Sequence, residues 1–148
     1  MKKNRVLFIC VHNAARSQMA EAFLSRLGAD MFEADSAGLE PTSVNPLVIE
    51  VMRELGYDLS ESRAKNVFGL YKAGMLFNYV ITVCRESVED KCPVFPGITK
   101  RLAWEFDDPA TFQGSEDEKR DKTRKVRDGI KSKVESWIEE MRRPNKED

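Results

Sequence analysis

Apolar residues gather in short unbroken runs at a few places in the chain and recur in spaced stripes between them. That alternation is expected of buried strands and amphipathic helices. Arg5 to Ile9 is such a run, short and apolar enough for a strand covered on both faces. From Ser17 to Leu27 the apolar positions switch to helical spacing at Met19, Ala20, Phe23, Leu24 and Leu27, and Gly28 supplies the stop. Phe32 to Ala37 predicts a second strand ended by Gly38. Asn45 and Pro46 read as an N-cap and a first helical residue, with a stripe through Val48, Ile49, Val51, Met52 and Leu55 up to Gly56. Val67 to Phe77 predicts a helix interrupted by Gly69 and Gly74, and Tyr79 to Val83 a β-branched strand. Arg85 to Gly97, with two prolines, is expected as a loop and Leu102 to Phe106 as a fourth strand. Ser115 to Met141 carries Val126, Ile130, Val134, Trp137, Ile138 and Met141 on one face, the pattern of one long helix before a frayed tail, Arg142 to Asp148.

Strands alternating with helices predict an α/β fold: an open four-stranded parallel sheet with helices on both faces, in a single domain over residues 1–148. In such sheets ligands bind beyond the carboxyl ends of the strands. The loop after the first strand is therefore the place to look.

Composition narrows the classes of function. The chain has 148 residues, 41% hydrophobic and 33% charged, with 24 Lys+Arg against 25 Asp+Glu for a net charge of -1. This suits a core with a solvated surface, and the balanced charge gives no support to nucleic-acid or membrane binding. The apolar run from Val6 to Val11 is too short for a signal peptide, and no span suits a membrane helix. A cytoplasmic monomer is expected. Three cysteines, Cys10, Cys84 and Cys92, are too few for a disulfide framework, so in a reducing compartment they are filler or chemistry.

The loop reads Cys10, Val11, His12, Asn13, Ala14, Ala15, Arg16, Ser17. A short loop leading into a helix can turn its backbone N–H groups inward, and the helix N-terminus adds roughly half a positive charge, so a tetrahedral oxyanion is bound without a metal. Arg16 can grip two oxygens of the anion. The same field stabilises negative charge on Cys10, which becomes a nucleophile aimed at the anion's central atom. Ser17, at or near the helix cap, is expected to donate its hydroxyl to the sulfur. The lone His12 is assigned no proton-transfer role.

The segment from Val6 to Glu21, with Asp35 to Gly38 and Val44 to Pro46, resembles the low-molecular-weight tyrosine phosphatase superfamily. Within it, Arg16 to Glu21 and Trp104 to Pro109 are similar to the thioredoxin-coupled arsenate reductases, and the likeness runs from about residue 5 to about residue 138. The resemblance implies a relay of three thiols. Cys10 attacks arsenate; Cys84 takes the Cys10 sulfur, expelling arsenite; Cys92 attacks Cys84 and offers the disulfide to thioredoxin, with no bound cofactor. Seven residues separate Cys84 from Cys92, one more than in the family's pattern. Asp108, directly before Pro109, matches the superfamily's general acid. Asn13, Glu21 and Ser36 match a potassium site found in some arsenate reductases, where Lys65 stands in place of a completing carboxylate. Its ammonium is expected to satisfy Glu21 and to make potassium dispensable.

The reading that results is reduction of arsenate to arsenite, with phosphate or sulfate as analogues of the substrate. One rival is a phosphatase acting on aryl phosphates, against which Ala110, Thr111 and Phe112 follow the acid where such phosphatases carry tyrosines. A more distant rival is a metal-binding sensor using Cys10, His12, Cys84 and Cys92, whose spacings lack the close Cys pairs of strong zinc sites.

Overall fold

The computed structural model describes residues 3–84, 95, 97 and 99–143. Four parallel strands form one sheet: β1 (Asn4–Cys10), β2 (Phe32–Gly38), β3 (Tyr79–Thr82) and β4 (Lys100–Ala103), in the order β2-β1-β3-β4. Pleating sends alternate residues of β1 to opposite faces. Val6, Phe8 and Cys10 join one apolar cluster, while Leu7 and Ile9 join the other. A strand buried on both sides explains why no polar residue interrupts the run from Val6 to Cys10.

The larger cluster is covered by α1 (Arg16–Leu27), by α2 (Pro46–Arg53) and by α4 (Glu116–Arg142), which supply Met19, Phe23, Leu24, Val48, Met52, Ile130, Val134 and Trp137. The smaller lies under α3 (Val67–Lys72) and holds Val67, Phe77, Val80 and Phe95. Burying a ring such as Phe8, fully enclosed and 5.7 Å from the Trp104 ring centre, contributes about 2–3 kcal/mol. α4 starts on a capping box: the Ser115 hydroxyl accepts from Glu118 N, and Glu118 Oε1 accepts from Ser115 N at 2.7 Å. It is tied to α2 by Arg127, which donates to the Val51 carbonyl and to Glu54, and by Arg124, which grips both Glu54 oxygens. These guanidinium contacts, with Arg124 the largest influence, hold the Glu54 carboxyl at about 2. Among the described residues, no helix is long and apolar enough to cross a membrane.

Three expectations shift. The fourth strand is Lys100–Ala103, not Leu102 to Phe106: the ladder ends where Trp104 N donates to Thr82 O, and the following residues leave the sheet. As an edge strand it exposes Lys100, Arg101 and Ala103, so it carries no apolar run to betray it. α3 ends at Lys72, because Gly74 turns left-handed at φ 76, and α2 ends at Arg53 ahead of Gly56 at φ 85. The predicted loop from Arg85 to Gly97 falls almost wholly outside the described residues, and the tail reading does so from residue 144 onward.

Candidate active site

The loop that joins β1 to α1 is shaped by its carbonyls. Cys10 O accepts from Leu39 N (3.3 Å), Val11 O from Glu40 N (2.8 Å), His12 O from Thr42 N (3.1 Å) and Ala14 O from Asn45 N (2.9 Å). Asn13 O takes the Gln18 side-chain amide at 3.2 Å, and Ala15 O begins the helix ladder with Met19 N at 3.0 Å. With its carbonyls engaged in this way, the loop can offer its amides to an anion. Asn13 adopts φ 52, the left-handed conformation that lets successive amides converge into an anion-binding nest. The loop presses so close to β2 that a Cβ on Gly38 would sit 2.7 Å from Val11 O and 2.8 Å from Asn13 N.

Asn13 braces this arrangement from within. It is fully buried, its Nδ2 donates to Ser17 Oγ at 2.7 Å, and its Oδ1 accepts from Lys65 N at 2.8 Å and Gln18 Nε2 at 3.0 Å. Ser17 Oγ lies 2.9 Å from Cys10 Sγ. Ser17 accepts from Asn13 and keeps its own hydrogen available, so it can donate to a Cys10 thiolate. Ser17 lies near the helix cap, as expected: Ala15 holds the cap position without a side-chain bond, and Ser17 is buried in the first turn.

Cys10, His12, Ala14, Ala15 and Arg16 line one side of a cleft of about 380 Å³, with Thr42, Ser43, Asn45, Pro46, Asp108 and Ala110 around them. Arg16 is buried; its Nη1 donates to Phe106 O at 3.0 Å and its Nη2 lies 3.4 Å from Asp108 Oδ2. Asp108 caps a short 3-10 turn, its Oδ1 accepting from Ala110 N at 3.0 Å, which holds the carboxylate over the cleft. The chain after β4 thus delivers the acid across the mouth of a loop some ninety positions earlier in the chain. Just past β3, Val83 N donates to Ile9 O at 3.0 Å, and the next residue, Cys84, is buried in the same apolar cluster as Cys10. Cys92 lies outside the described residues.

Behind the loop, Ser36 Oγ donates to Glu21 Oε1 at 2.5 Å and Lys65 Nζ lies 3.6 Å from the same oxygen. Burial pushes the Glu21 carboxyl above its ordinary value, opposed by the Ser36 hydroxyl and the Lys65 ammonium. These groups do not suit a potassium ion, since an ammonium already balances the only carboxylate among the four. Among the described residues no group of three or more His, Cys, Asp or Glu is arranged to hold a metal ion.

The sequence reading missed the wall formed by Thr42, Ser43 and Asn45, and the brace Gln18. Asn45 and Pro46 were visible only as a helix start. A glutamine two residues past the arginine, in the expected first helical turn, was the available sign for Gln18, and only the fold shows that it is buried.

Comparison with known proteins places this geometry. The chain is 38% identical over 141 residues to an arsenate reductase of Bacillus licheniformis, covering 94% of this chain and 98% of the relative. It superposes with a TM-score of 0.72 on an arsenate reductase in the phosphate binding state, at 28% identity over 92% of this chain and 97% of that one. A thioredoxin-dependent arsenate reductase of Corynebacterium glutamicum matches with a TM-score of 0.70 at 31% identity, over 93% of this chain and 61% of the other. Residues 5–147 match the low molecular weight phosphotyrosine protein phosphatase family, and with the loop, the acid and the sheet arranged as they are, the chain belongs to that family.

Proposed function

We propose that this protein is an arsenate reductase that passes its electrons through three thiols and takes them from thioredoxin. The observation that carries the reading is a second cysteine, Cys84, buried in the same cluster as the Cys10 nucleophile at the end of the neighbouring strand, a device that hydrolysis of a phosphate does not require. The loop amides and Arg16 hold the oxyanion. Cys10 sulfur attacks arsenic, and Asp108 protonates the oxygen that departs as water. Cys84 thiolate then attacks Cys10 sulfur; the As–S bond breaks with its electron pair going to arsenic, which leaves as arsenite, and a Cys10–Cys84 disulfide remains. Cys92 attacks Cys84, freeing Cys10 and forming a Cys84–Cys92 disulfide, which the thioredoxin dithiol reduces. Lys65, by supplying the charge that offsets Glu21, makes turnover insensitive to exchange of potassium for sodium.

The test is arsenate-dependent NADPH consumption with thioredoxin and thioredoxin reductase, for the wild type, Cys84→Ser and Cys92→Ser. Loss of multiple turnover in both variants supports the relay. Wild-type turnover in both ends it and hands the cleft to phosphate ester hydrolysis. Weak hydrolysis of an aryl phosphate by the wild type is expected in either case, because phosphate and arsenate share shape and charge.

A further inference from the structure

The cradle above Cys10 is built of donors. Loop amides and the Arg16 guanidinium can meet bare oxyanion oxygens, but none of them can accept a hydrogen. Near neutral pH arsenate and phosphate keep at least one hydroxyl proton, whereas sulfate keeps none. Asp108, in its role as the acid, gives a hydrogen to the anion rather than taking one, and the hydroxyls of Thr42 and Ser43 can serve either form of anion. His12 differs from all of these. It lines the cleft, and its Nδ1 lies 2.9 Å from the Glu40 carbonyl oxygen. A carbonyl only accepts, so Nδ1 carries the hydrogen, and in the neutral ring Nε2 is left as an acceptor. The backbone locks this choice, since Glu40 N in turn donates to Val11 O at 2.8 Å, one residue before His12.

We infer that the His12 side chain is a specificity-determining group, whose Nε2 accepts the hydroxyl hydrogen of a protonated oxyanion and turns its lone pair against sulfate. The inference deepens the reading of the cleft as an oxyanion site and rests on it. Hydrogen arsenate and hydrogen phosphate gain a hydrogen bond; sulfate meets an acceptor facing its own acceptors, which excludes it by repulsion. A cell rich in sulfate would otherwise keep such a cleft filled.

Equilibrium binding of inorganic phosphate and of sulfate, measured by calorimetry on the reduced full-length protein near neutral pH, tests this without any turnover. The wild type binds phosphate in preference to sulfate. His12→Asn keeps a donor for the Glu40 carbonyl but removes Nε2, so it and His12→Ala lower phosphate affinity about 5- to 10-fold, as expected for one lost hydrogen bond, without lowering that of sulfate. His12→Gln, whose amide oxygen reaches the Nε2 position, retains most of the preference. Phosphate and sulfate affinities falling together in His12→Asn would overturn the inference, as would an unchanged ratio, because the ring would then only prop the loop. If the wild type binds neither anion, the oxyanion reading of the cleft fails as well, which separates the two failures.

Discussion

Two clefts open at opposite ends of the sheet, and the larger is not the one proposed to carry the chemistry. The cleft at the amino end, between the start of β1 and the turn after α3, encloses about 930 Å³ and is lined by Lys3, Arg5, Glu33, Leu76, Phe77 and Asn78 among others. Its polar groups do not converge on a common point: Arg5 N donates to Asn78 Oδ1 at 2.7 Å, while the Arg5 guanidinium lies 3.9 Å from Glu33 and 3.7 Å from Asp35. The cleft at the carboxyl end is less than half that size, about 380 Å³, yet a helix N-terminus, a loop with its carbonyls already engaged and a buried arginine converge on it. Parallel strands aim every such device at the same rim. Convergence of donors, rather than volume, marks the site.

The sharpest way to break this contrast is Cys10→Ser, which should lower arsenate-dependent turnover by at least about 10³-fold, while Leu76→Ser in the opposite cleft stays within about twofold. NADPH consumption reads both. A comparable loss from Leu76→Ser would mean that the amino-end cleft takes part. Next in size is Asp108→Asn, expected to slow turnover about 10²-fold as a general acid is lost, with arsenate affinity changed far less. Single-turnover rates against binding would show it, and a pure affinity loss would assign Asp108 to binding instead.

A glycine against the loop and one away from it should respond with opposite signs. Gly38→Ala drives a Cβ into the loop backbone and should cost about 1–3 kcal/mol of stability together with most activity. Gly69→Ala, in α3 where nothing lies within 4 Å, should gain about 0.5–1 kcal/mol and leave activity intact. Urea unfolding of both variants checks the pair.

The smallest effects concern two carboxylates. Glu54, held at about 2 by Arg124 and Arg127, contributes stability above its ordinary value of 4.5 that is lost as pH falls from there toward about 2. Because it is partly exposed, Glu54→Gln should cost no more than about 1 kcal/mol at neutral pH, with the cost vanishing in acid. Glu21 has the opposite sign. Its carboxyl is raised by burial, so its favourable share is present below 4.5 and declines as pH rises through the raised value. Glu21→Gln should therefore gain on the wild type as the pH climbs out of the acid range. Unfolding midpoints across pH read both slopes, and parallel slopes would refute the assignment.

The interior elements were legible in the chain because burial writes itself into spacing. β1, α1, β2 and α4 fall within a residue or two of the expected bounds, each being covered on a face that must stay apolar. β4 was misplaced for the converse reason: an edge strand with Lys100 and Arg101 in solvent has no apolar pattern to read. The anion loop was legible as a string of residues, and its arginine and cysteine could be named from it. Its engaged carbonyls could not, since their partners Leu39, Glu40, Thr42 and Asn45 belong to the next crossover.

What the order of residues determined by itself is the set of parts: a parallel sheet, a cysteine at the junction of strand and helix, an aspartate held extended before a proline. Each follows from local spacing or from a backbone preference that neighbours impose. Only the tertiary structure decided that Asp108 meets Arg16, that Cys84 shares an apolar cluster with Cys10, that Lys65 answers Glu21, and that Glu40 fixes which nitrogen of His12 carries the hydrogen. Those pairings join residues distant along the chain, and such contacts are set by strand order and crossover packing, which no local pattern encodes.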